Sequence, residues 1–281
     1  MSNESTPTTL AGYMQTITLA TASMLPQYSS LWNAPFFVEA DNAKNVTFPV
    51  IDSGIRSATA DASNDGASVT LTEITIAAQT AALNDYPVVA LVSNAAIKGG
   101  AGVVEVVSKA TATKVGNTID KLIYSAGLGF SNSVSSDDGF GTGDLASAVG
   151  AIKAAGYAGE MVFIGDWRML QGEYGLMQDI ENVLTNANDE IIRGSGFLGK
   201  VQGVELYGTH MADTYADGSD TWGKGFLFAK EALGFGYGTP LVELDTSKAL
   251  DKAGHYVGGS TFCAAKLLDS SGGVGIECKI A

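Results

Sequence analysis

The chain is poor in the residues that build disulfide frameworks and metal sites. Its 281 residues include two cysteines, Cys263 and Cys278, and two histidines, His210 and His255. Two cysteines cannot form a disulfide framework or a four-cysteine zinc site. Two isolated histidines are too few to indicate a histidine-based metal site, and a solvated His210 is favoured over a catalytic one. We therefore expect neither a metal nor a cofactor.

Basic residues are also scarce. Lysine and arginine together number 16, against 30 aspartates and glutamates, and the formal net charge is −14. Proteins that bind DNA irrespective of its sequence neutralise phosphates with clustered lysine and arginine, so the charge argues against that class. The charge is compatible with a protein that lines a DNA-filled space, because weak repulsion keeps nucleic acid from adhering to the wall.

Long apolar runs and a secretory signal are missing as well. No uninterrupted apolar run reaches the roughly 18 residues of a membrane-spanning helix. The first residues, Met1 to Pro7, lack the basic segment that opens a signal peptide. We therefore expect a chain that resides in the cytosol and has no contact with a membrane.

Motifs of catalysis are absent or out of context. A G-x-G-x-x-G pattern occurs in Arg193 to Gly199, but Lys200 to Val204 after it is strand-like. A dinucleotide site needs a helix to begin there, with its positive end at the pyrophosphate. No Walker loop, G-x-S-x-G elbow or H-E-x-x-H motif is present. We predict that the chain is not an enzyme, and a nucleotide-dependent enzyme is an alternative that rests on the glycine run alone.

The stretch from Asn45 to Ile97 predicts a long two-stranded β-arm. Apolar and polar residues alternate in both limbs, and a tip rich in Asn, Asp and Gly, Ala60 to Gly66, separates them. Pro49 cannot donate a ladder hydrogen bond, so its strand lies at an edge or outside a large sheet. An isolated hairpin is marginally stable, so another surface must cover it, and a second copy of the chain is one candidate. The apolar positions of the limbs are Val46, Phe48, Val50, Val69 and Leu71.

A strand and a long helix follow the arm. Tyr86 to Val92 is a near-continuous apolar run, typical of a buried strand. Val103 to Ala126 is the longest predicted helix, with a broad apolar side and a polar side that includes Asp120. Serine, aspartate and glycine from Phe130 to Gly143 then predict a loop.

The next segment alternates helices and strands. Thr142 or Asp144 can cap a helix that ends at Gly156. Met161 to Ile164 predicts a short buried strand, and Asp166 to Leu170 begins another helix. This alternation is typical of an α/β subdomain.

Further strands are predicted beyond this subdomain. Val201 to Tyr207 and Phe226 to Ala229 have strand-like patterns, and Gly208 to Lys224 is a polar loop between them. The final section from Tyr256 to Ile280 predicts paired strands around a turn at Ser270 to Gly273. We found no internal repeat.

The two cysteines flank that last turn. A two-residue loop at Ser270 and Ser271 would place Cys263 directly opposite Cys278, whereas a loop centred one residue later would not. Two buried thiols that act as small hydrophobic side chains are the favoured interpretation in a reducing cytosol.

The order of the predicted parts, with two short motifs, resembles a known family. The order is N-terminal arm, hairpin arm, strand, long helix, α/β subdomain and returning strands. Met161 to Trp167 is similar to a strand running into a helix with tryptophan at its start, and Phe197 to Tyr207, followed by Met211, is similar to a Gly-x-x-x-Gly strand pair. Together they resemble the major capsid protein of tailed bacteriophages, which has the Hong Kong 97 type fold of encapsulins and herpesvirus shells.

The resemblance implies an α+β Hong Kong 97 type fold with four parts. The implied parts are an N-terminal arm (1–30), an extended β-hairpin loop (45–76), a peripheral domain (31–44, 77–142 and 251–281) with a spine helix at about 103–126, and an axial α/β domain (143–250).

The resemblance also implies a structural function. Copies would self-assemble into hexamers and pentamers of an icosahedral phage head around double-stranded DNA, which they would contact weakly and without sequence preference. Implied partners are a scaffolding protein, a portal and decoration or cement proteins. The implied location is the virion capsid, assembled in the host cytoplasm. An encapsulin-type protein compartment and a secreted surface-layer or adhesin protein are the alternatives.

The implied intersubunit contact centres on the extended loop. Some relatives cross-link this loop through a lysine, but no lysine lies between Lys44 and Lys98, which predicts a noncovalent contact. We hypothesise that Arg56 pairs with an acidic residue of a neighbouring copy and that Ile55 fills an apolar niche there, with a solvated Arg56 as the alternative. The candidate interface residues are Val46, Phe48, Ile55, Arg56, Val69 and Leu71.

Overall fold

A computed structural model describes residues 31–40, 44–51, 76–93, 101–178, 197–249 and 254–281. They form two larger sheets, a two-stranded hairpin and three α-helices, which confirms the predicted α+β class. The strands are β1 (Phe36–Ala40), β2 (Asn45–Ile51), β3 (Ile76–Ala82), β4 (Asn84–Ser93), β5 (Asn132–Ser136), β6 (Met161–Asp166), β7 (Phe197–Val201), β8 (Val204–Thr209), β9 (Thr214–Asp217), β10 (Asp220–Ala229), β11 (Leu233–Ala249), β12 (Gly254–Leu267) and β13 (Gly273–Lys279). The helices are α1 (Ala101–Gly127), α2 (Thr142–Ala154) and α3 (Trp167–Gln171). None of the helices in these ranges is long and apolar enough to span a membrane.

The four-stranded sheet has the order β1, β11, β12, β4. One face packs on α1, where Tyr86 and Val88 of β4 join the cluster around Val115. The other face of β4 is open, so Val89 is 58% exposed. The predicted strand at Tyr86–Val92 is therefore confirmed. The expectation of a buried strand is wrong, because β4 is an edge strand that is covered on one face only.

The seven-stranded sheet has the order β5, β13, β10, β6, β8, β7, with β9 paired to β10. Its central strand β6 is buried along its whole length, as the sequence predicted. Phe163 faces a core that includes α2 and α3, whereas Ile164 faces the core shared with α1. Helices therefore cover both faces of this sheet at its centre.

The long helix α1 confirms the prediction at Val103–Ala126. Its buried stripe contains Val115, Ile119 and Ile123, all without exposed surface. Asp120, predicted on the polar side, is instead 2% exposed. The Leu31 backbone N–H donates to the Asp120 Oδ1 atom at 3.2 Å, because the segment before β1 covers this side of the helix as well.

The helix boundaries of the α/β segment follow from local capping. At the start of α2, the Gly141 N–H donates to Asp144 Oδ2 at 3.0 Å, and Gly156 after its end has a φ of +87°. Asp166 caps α3 by accepting from the Arg168 N–H at 2.8 Å and also binds the Arg168 guanidinium. Both helices were predicted, but the predicted cap of α2 at Thr142 or Asp144 is wrong in position: Gly141 is the N-cap, and Asp144 lies in the first turn and accepts from the Gly141 N–H.

Two predicted loops contain strands. Phe130–Gly143 includes β5, which pairs in parallel with β13, and Gly208–Lys224 includes β9 and the start of β10. Both short strands are rich in polar residues and partly or fully exposed, so they lack the apolar alternation on which the prediction depended.

The predicted strand at Val201–Tyr207 is a hairpin of β7 and β8. Val201 pairs with Val204 across a two-residue turn, in which Gln202 and Gly203 have φ values of 52° and 82°. Positive φ at both central residues is what a type I′ turn requires, and it matches the twist of the two strands.

The last two strands do not form the predicted pair. β12 lies in the four-stranded sheet and β13 in the seven-stranded sheet, joined by a short 3-10 turn at Ser270–Gly272. Leu268 N–H donates to Ala232 O, so the chain crosses between sheets at this point instead of folding back. The predicted turn is confirmed, and the predicted pairing of its flanking strands is wrong.

Both cysteines are consequently buried, free and unpaired with each other. Cys263 lies opposite Tyr237 and Asn84, whereas Cys278 lies opposite Gly223 and Ser136. Burial raises the pKa of the Cys263 thiol to about 11 and that of Cys278 to about 12. The favoured interpretation, two buried thiols, is confirmed.

Substitution of Tyr124 tests the link between α1 and the seven-stranded sheet. The buried Tyr124 hydroxyl donates to Lys224 O at 3.1 Å and accepts from Asp213 N–H at 3.0 Å. We expect Tyr124→Phe to lower the free energy of unfolding by about 1–3 kcal/mol, since it removes two bonds at a buried site. Urea denaturation measures this. Tyr215→Phe, which removes a more exposed hydroxyl bonded to Glu277, is the matched control. Equal stability losses in the two variants would contradict the assignment.

Candidate assembly interface

The base of the predicted extended loop is an ordered hairpin. β2 pairs with β3 in antiparallel register, from Asn45 opposite Ala82 to Ile51 opposite Ile76. The first predicted limb is therefore confirmed as a strand, and β3 was not singled out in the sequence because its alanines give no clear alternation. The tip and four candidate interface residues lie outside the described residues; these are Ile55, Arg56, Val69 and Leu71.

Two candidate interface residues are covered by their own chain. Val46 is 2% exposed and Phe48 has no exposed surface, and both belong to a cluster with Leu83, Ala264 and Leu268. The hairpin base thus docks on the face of the four-stranded sheet that points away from α1. The structure gives Val46 and Phe48 an intrachain role, and a contact with a neighbouring copy stays a prediction for both.

Two glycines of β11 make room for these side chains. A Cβ atom at Gly234 would lie 2.7 Å from Phe48 Cε1, and one at Gly236 would lie 2.5 Å from Val46 Cγ1. Real side chains do not approach so closely, so a larger residue at either position would force the Phe48 or Val46 side chain, and the strand that carries it, to shift. We call Gly234 and Gly236 the glycine seat. Sequence analysis missed it, since a glycine in a strand carries no signal of what packs on it.

A lysine holds the second strand of the hairpin. Lys266 of β12, which lies opposite Gly234, donates from Nζ to Thr80 O of β3 at 2.7 Å. The glycine seat contacts β2 and Lys266 contacts β3, so both strands are attached to the same sheet.

The outer face of the hairpin base carries no charge. β2 and β3 contain no Asp, Glu, Lys or Arg. Thr47, Pro49, Ala78 and Thr80 are exposed, and Ile76 is 63% exposed. A surface without charges can be buried against a partner without the cost of removing ions from water.

An exposed apolar strip lies along β4, after the exposed Asp85. Phe262 lies opposite Asp85 and packs in the cluster under the hairpin base. Since residues two apart in a strand share a face, Pro87, Val89 and Leu91 lie on that same face, and Leu91 is 46% exposed. We call these three residues the β4 strip. It lies on an edge strand, where exposed apolar side chains and unpaired backbone groups favour contact with another chain.

The charged groups at the end of the seven-stranded sheet are paired within the chain. Lys224 binds Glu277 at 2.8 Å and lies 5.0 Å from the centre of the Tyr215 ring. Lys279 binds Asp220 at 3.0 Å. The hydrogen bond from Lys224 holds the pKa of Glu277 below its ordinary value.

A cavity of about 660 Å³ lies between the α2 start and the segment after α3, with Asp138, Asp144 and Glu173 in its lining. The Asp144 carboxylate accepts a hydrogen bond from the Gly141 N–H at the start of α2. Among the described residues, no three His, Cys, Asp or Glu side chains are grouped so that they could hold a metal ion. The expectations of no metal and no cofactor stay predictions.

No protein-family model matches the chain, and no curated protein does. Solved structures match it over most of its length. The head structure of Helicobacter pylori bacteriophage KHP40 is 10% identical over 91% of each chain, with a TM-score of 0.66. The capsid of Ralstonia phage GP4 is 10% identical over 90% of this chain and 92% of that one, with a TM-score of 0.62. The chain has the fold of bacteriophage capsid proteins.

The capsid fold confirms the resemblance that the order of elements predicted. A virus-like particle from Pyrococcus furiosus is also similar, at 12% identity over 94% of this chain and 99% of that one, with a TM-score of 0.60. The three structures are a phage head, a phage capsid and a virus-like particle, and the likeness to them shows the fold of this chain.

The ion pair at Glu277 predicts a modest pH dependence. Because the folded-state pKa of Glu277 lies below its reference value of 4.5, its contribution to stability is present above pH 4.5 and is lost as the pH falls through the folded-state pKa. We expect Glu277→Gln to lower stability at pH 7 by no more than about 1 kcal/mol, since the pair is partly exposed. Thermal unfolding from pH 7 to pH 3 measures the difference, which should shrink below pH 4.5. A difference that grows at low pH would contradict the assignment.

Proposed function

We propose that this chain is the major capsid protein of a tailed bacteriophage. Copies assemble as hexamers and pentamers into an icosahedral head around double-stranded DNA. The observation that carries the proposal is similarity to phage head structures over about nine-tenths of the chain. The docked hairpin with an uncharged outer face supports it, because a repeated shell needs a projecting element that a neighbour can cover.

The proposed domains are those of the Hong Kong 97 arrangement. The N-terminal arm is 1–30, the extended loop 45–76, and α1 is the spine helix of the peripheral domain. We propose three changes to the boundaries predicted from sequence, on the basis of strand pairing. β11 belongs with the peripheral domain, since it pairs with β1 and β12. β13 and β5 belong with the axial domain, since they pair with each other and β13 also pairs with β10.

The proposed contact joins the extended loop of one copy to the β4 strip of another. The strip is apolar and exposed, and it lies on the same face of the sheet as the hairpin base, with Asp85 between them, so a second loop could lie beside the first on that face. Arg56 of the incoming loop pairs with an acidic residue of the receiving copy, and Ile55 enters an apolar niche. The contact is noncovalent.

The proposed partners follow from a phage head. They are a scaffolding protein during assembly, a portal, and decoration or cement proteins on the finished shell. Contact with packaged DNA is weak and non-specific, as the net charge of −14 favours. The proposed location is the virion, with assembly in the host cytoplasm.

An encapsulin-type compartment is the second candidate. The similarity to the Pyrococcus furiosus virus-like particle, over 94% of this chain, is compatible with it as well as with a phage head. Its contents distinguish it from a phage head, since a compartment encloses protein and a head encloses DNA. No observation on the described residues favours a surface-layer protein or adhesin.

Negative-stain microscopy of the expressed protein, alone and with a scaffold, tests the proposed function. We expect closed shells of uniform diameter. Monomers under every condition would contradict a shell protein of either kind. Nuclease-resistant DNA in particles from infected cells would support the phage head, and enclosed protein without DNA would support the compartment.

Substitution of Leu91 tests the β4 strip. We expect Leu91→Glu to leave the isolated chain folded, because the side chain is exposed, and to prevent closed shells, because the new carboxylate would be buried without a partner. Sedimentation velocity separates shells from monomers. Leu128→Glu is the matched control, since Leu128 is 42% exposed outside the strip. If Leu91→Glu formed shells in normal yield, the β4 strip would not be part of the interface between copies.

Substitution of Arg56 tests the proposed ion pair. We expect Arg56→Glu to reduce shell yield and to lower the melting temperature of the shells, since it places like charges together at the contact. Differential scanning calorimetry of purified shells measures the second effect. Unchanged yield and melting temperature would favour a solvated Arg56 instead.

A further inference from the structure

We infer that Gly234, Gly236 and Lys266 are positioning residues that set the direction in which the extended loop leaves the body of the chain. They thereby determine which surface of a neighbouring copy the loop reaches. This inference rests on the proposed function, because the direction of the loop has a consequence only if the loop of one copy binds a neighbouring copy.

The first support is steric. Phe48 and Val46 lie over the two glycines so closely that a methyl group at either position would overlap the side chain above it. The depth at which β2 sits is therefore fixed by the absence of side chains at the glycine seat. A substitution there changes the distance and the tilt of the hairpin relative to the sheet. The hydrogen bonds between β2 and β3 can still form.

The second support is the rigidity of the surface beneath. β11 is paired on both sides here: Gly236 lies opposite Val38 of β1 and Ala264 of β12. A strand held between two neighbours cannot move down to relieve an overlap. Within the part of the chain that the structure describes, β2 and β3 of the hairpin base pair only with each other, so the hairpin base is the part that moves.

The third support is the attachment of β3. The Lys266 bond to Thr80 O holds the strand that returns from the loop. The glycine seat holds β2 and the Lys266 bond holds β3, so the hairpin is attached at two points. Two points of attachment fix the direction of the hairpin, whereas a hairpin attached at one point could rotate about it.

The length of the hairpin amplifies small changes. At about 3.3 Å per residue, seven-residue strands extend roughly 23 Å, so a tilt of about 10° at the base moves the far end by about 4 Å. That displacement is close to the spacing of neighbouring strands, roughly 4.8 Å. A loop so displaced would meet a different row of side chains on its neighbour.

The test compares two variants with matched controls. Gly236→Ala alters the glycine seat, and Lys266→Met removes the donor while keeping an unbranched side chain. Gly150→Ala is the control for the first, since a Cβ there meets nothing within 4 Å, and Lys153→Met is the control for the second. Hydrogen exchange of residues 45–51 and 76–82 in the unassembled chain reports on the hairpin base, and electron microscopy reports on shell diameter.

We expect exchange in the hairpin base to rise at least about tenfold in both variants, because local opening becomes easier, and exchange in β6 to remain unchanged. We expect shells of mixed diameter or open sheets, whereas both controls form shells like the unsubstituted chain. If Gly236→Ala unfolds the whole chain, Lys266→Met decides the outcome, since its bond is at the surface.

Two results would separate the inference from the proposed function. Uniform shells of unchanged diameter and unchanged exchange from both variants would overturn the inference and leave the proposed function standing. An unsubstituted chain that never forms shells would overturn the proposed function. Exchange in the hairpin base would then still show whether the three residues hold it in place.

Discussion

The contact of Val46 and Phe48 with the glycine seat is the interaction on which the rest of this structure depends. A two-stranded hairpin buries too little apolar surface to be stable alone. Here the outer face of the four-stranded sheet supplies the missing cover, so that Phe48 has no exposed surface and Val46 is 2% exposed. The hairpin therefore leaves the body as a defined projection. Its outer face, free of charges, remains available to a partner.

Helix α1 connects the two larger sheets, so that the hairpin is attached to one packed unit. Its buried stripe contacts Phe235 and Cys263 of the four-stranded sheet and Phe226 and Phe228 of the other sheet in one cluster. Hydrogen bonds through the Tyr124 hydroxyl and the Asp120 carboxylate extend the connection to residue 213 and to the segment before β1. Displacement of one sheet is thus resisted by contacts with the other.

The elements that the sequence predicted well are those with strong local signals. Helix α1 has a long apolar stripe, α2 and α3 have acidic residues at their starts, and β6 is an uninterrupted apolar run. The missed elements depend on distant partners. β5 and β9 are polar strands, and the separation of β12 from β13 depends on which sheet each one joins.

The candidate interface was predicted in part for the same reason. Alternation identified Val46 and Phe48 as one face of a strand, but it cannot say whether that face is covered by the same chain or by another. The glycine seat and Lys266 give no periodic signal at all. The position of Asp120 is a similar case, because a helical wheel cannot show a segment more than eighty residues away that covers its polar side.

Cryo-electron microscopy of the assembled shell tests the central claim most directly. The account predicts that residues 52–75 of each copy lie across Pro87, Val89 and Leu91 of a neighbouring copy, with the hairpin base seated on Gly234 and Gly236 of its own chain. A shell in which those residues remain on their own chain and the β4 strip faces solvent would contradict it.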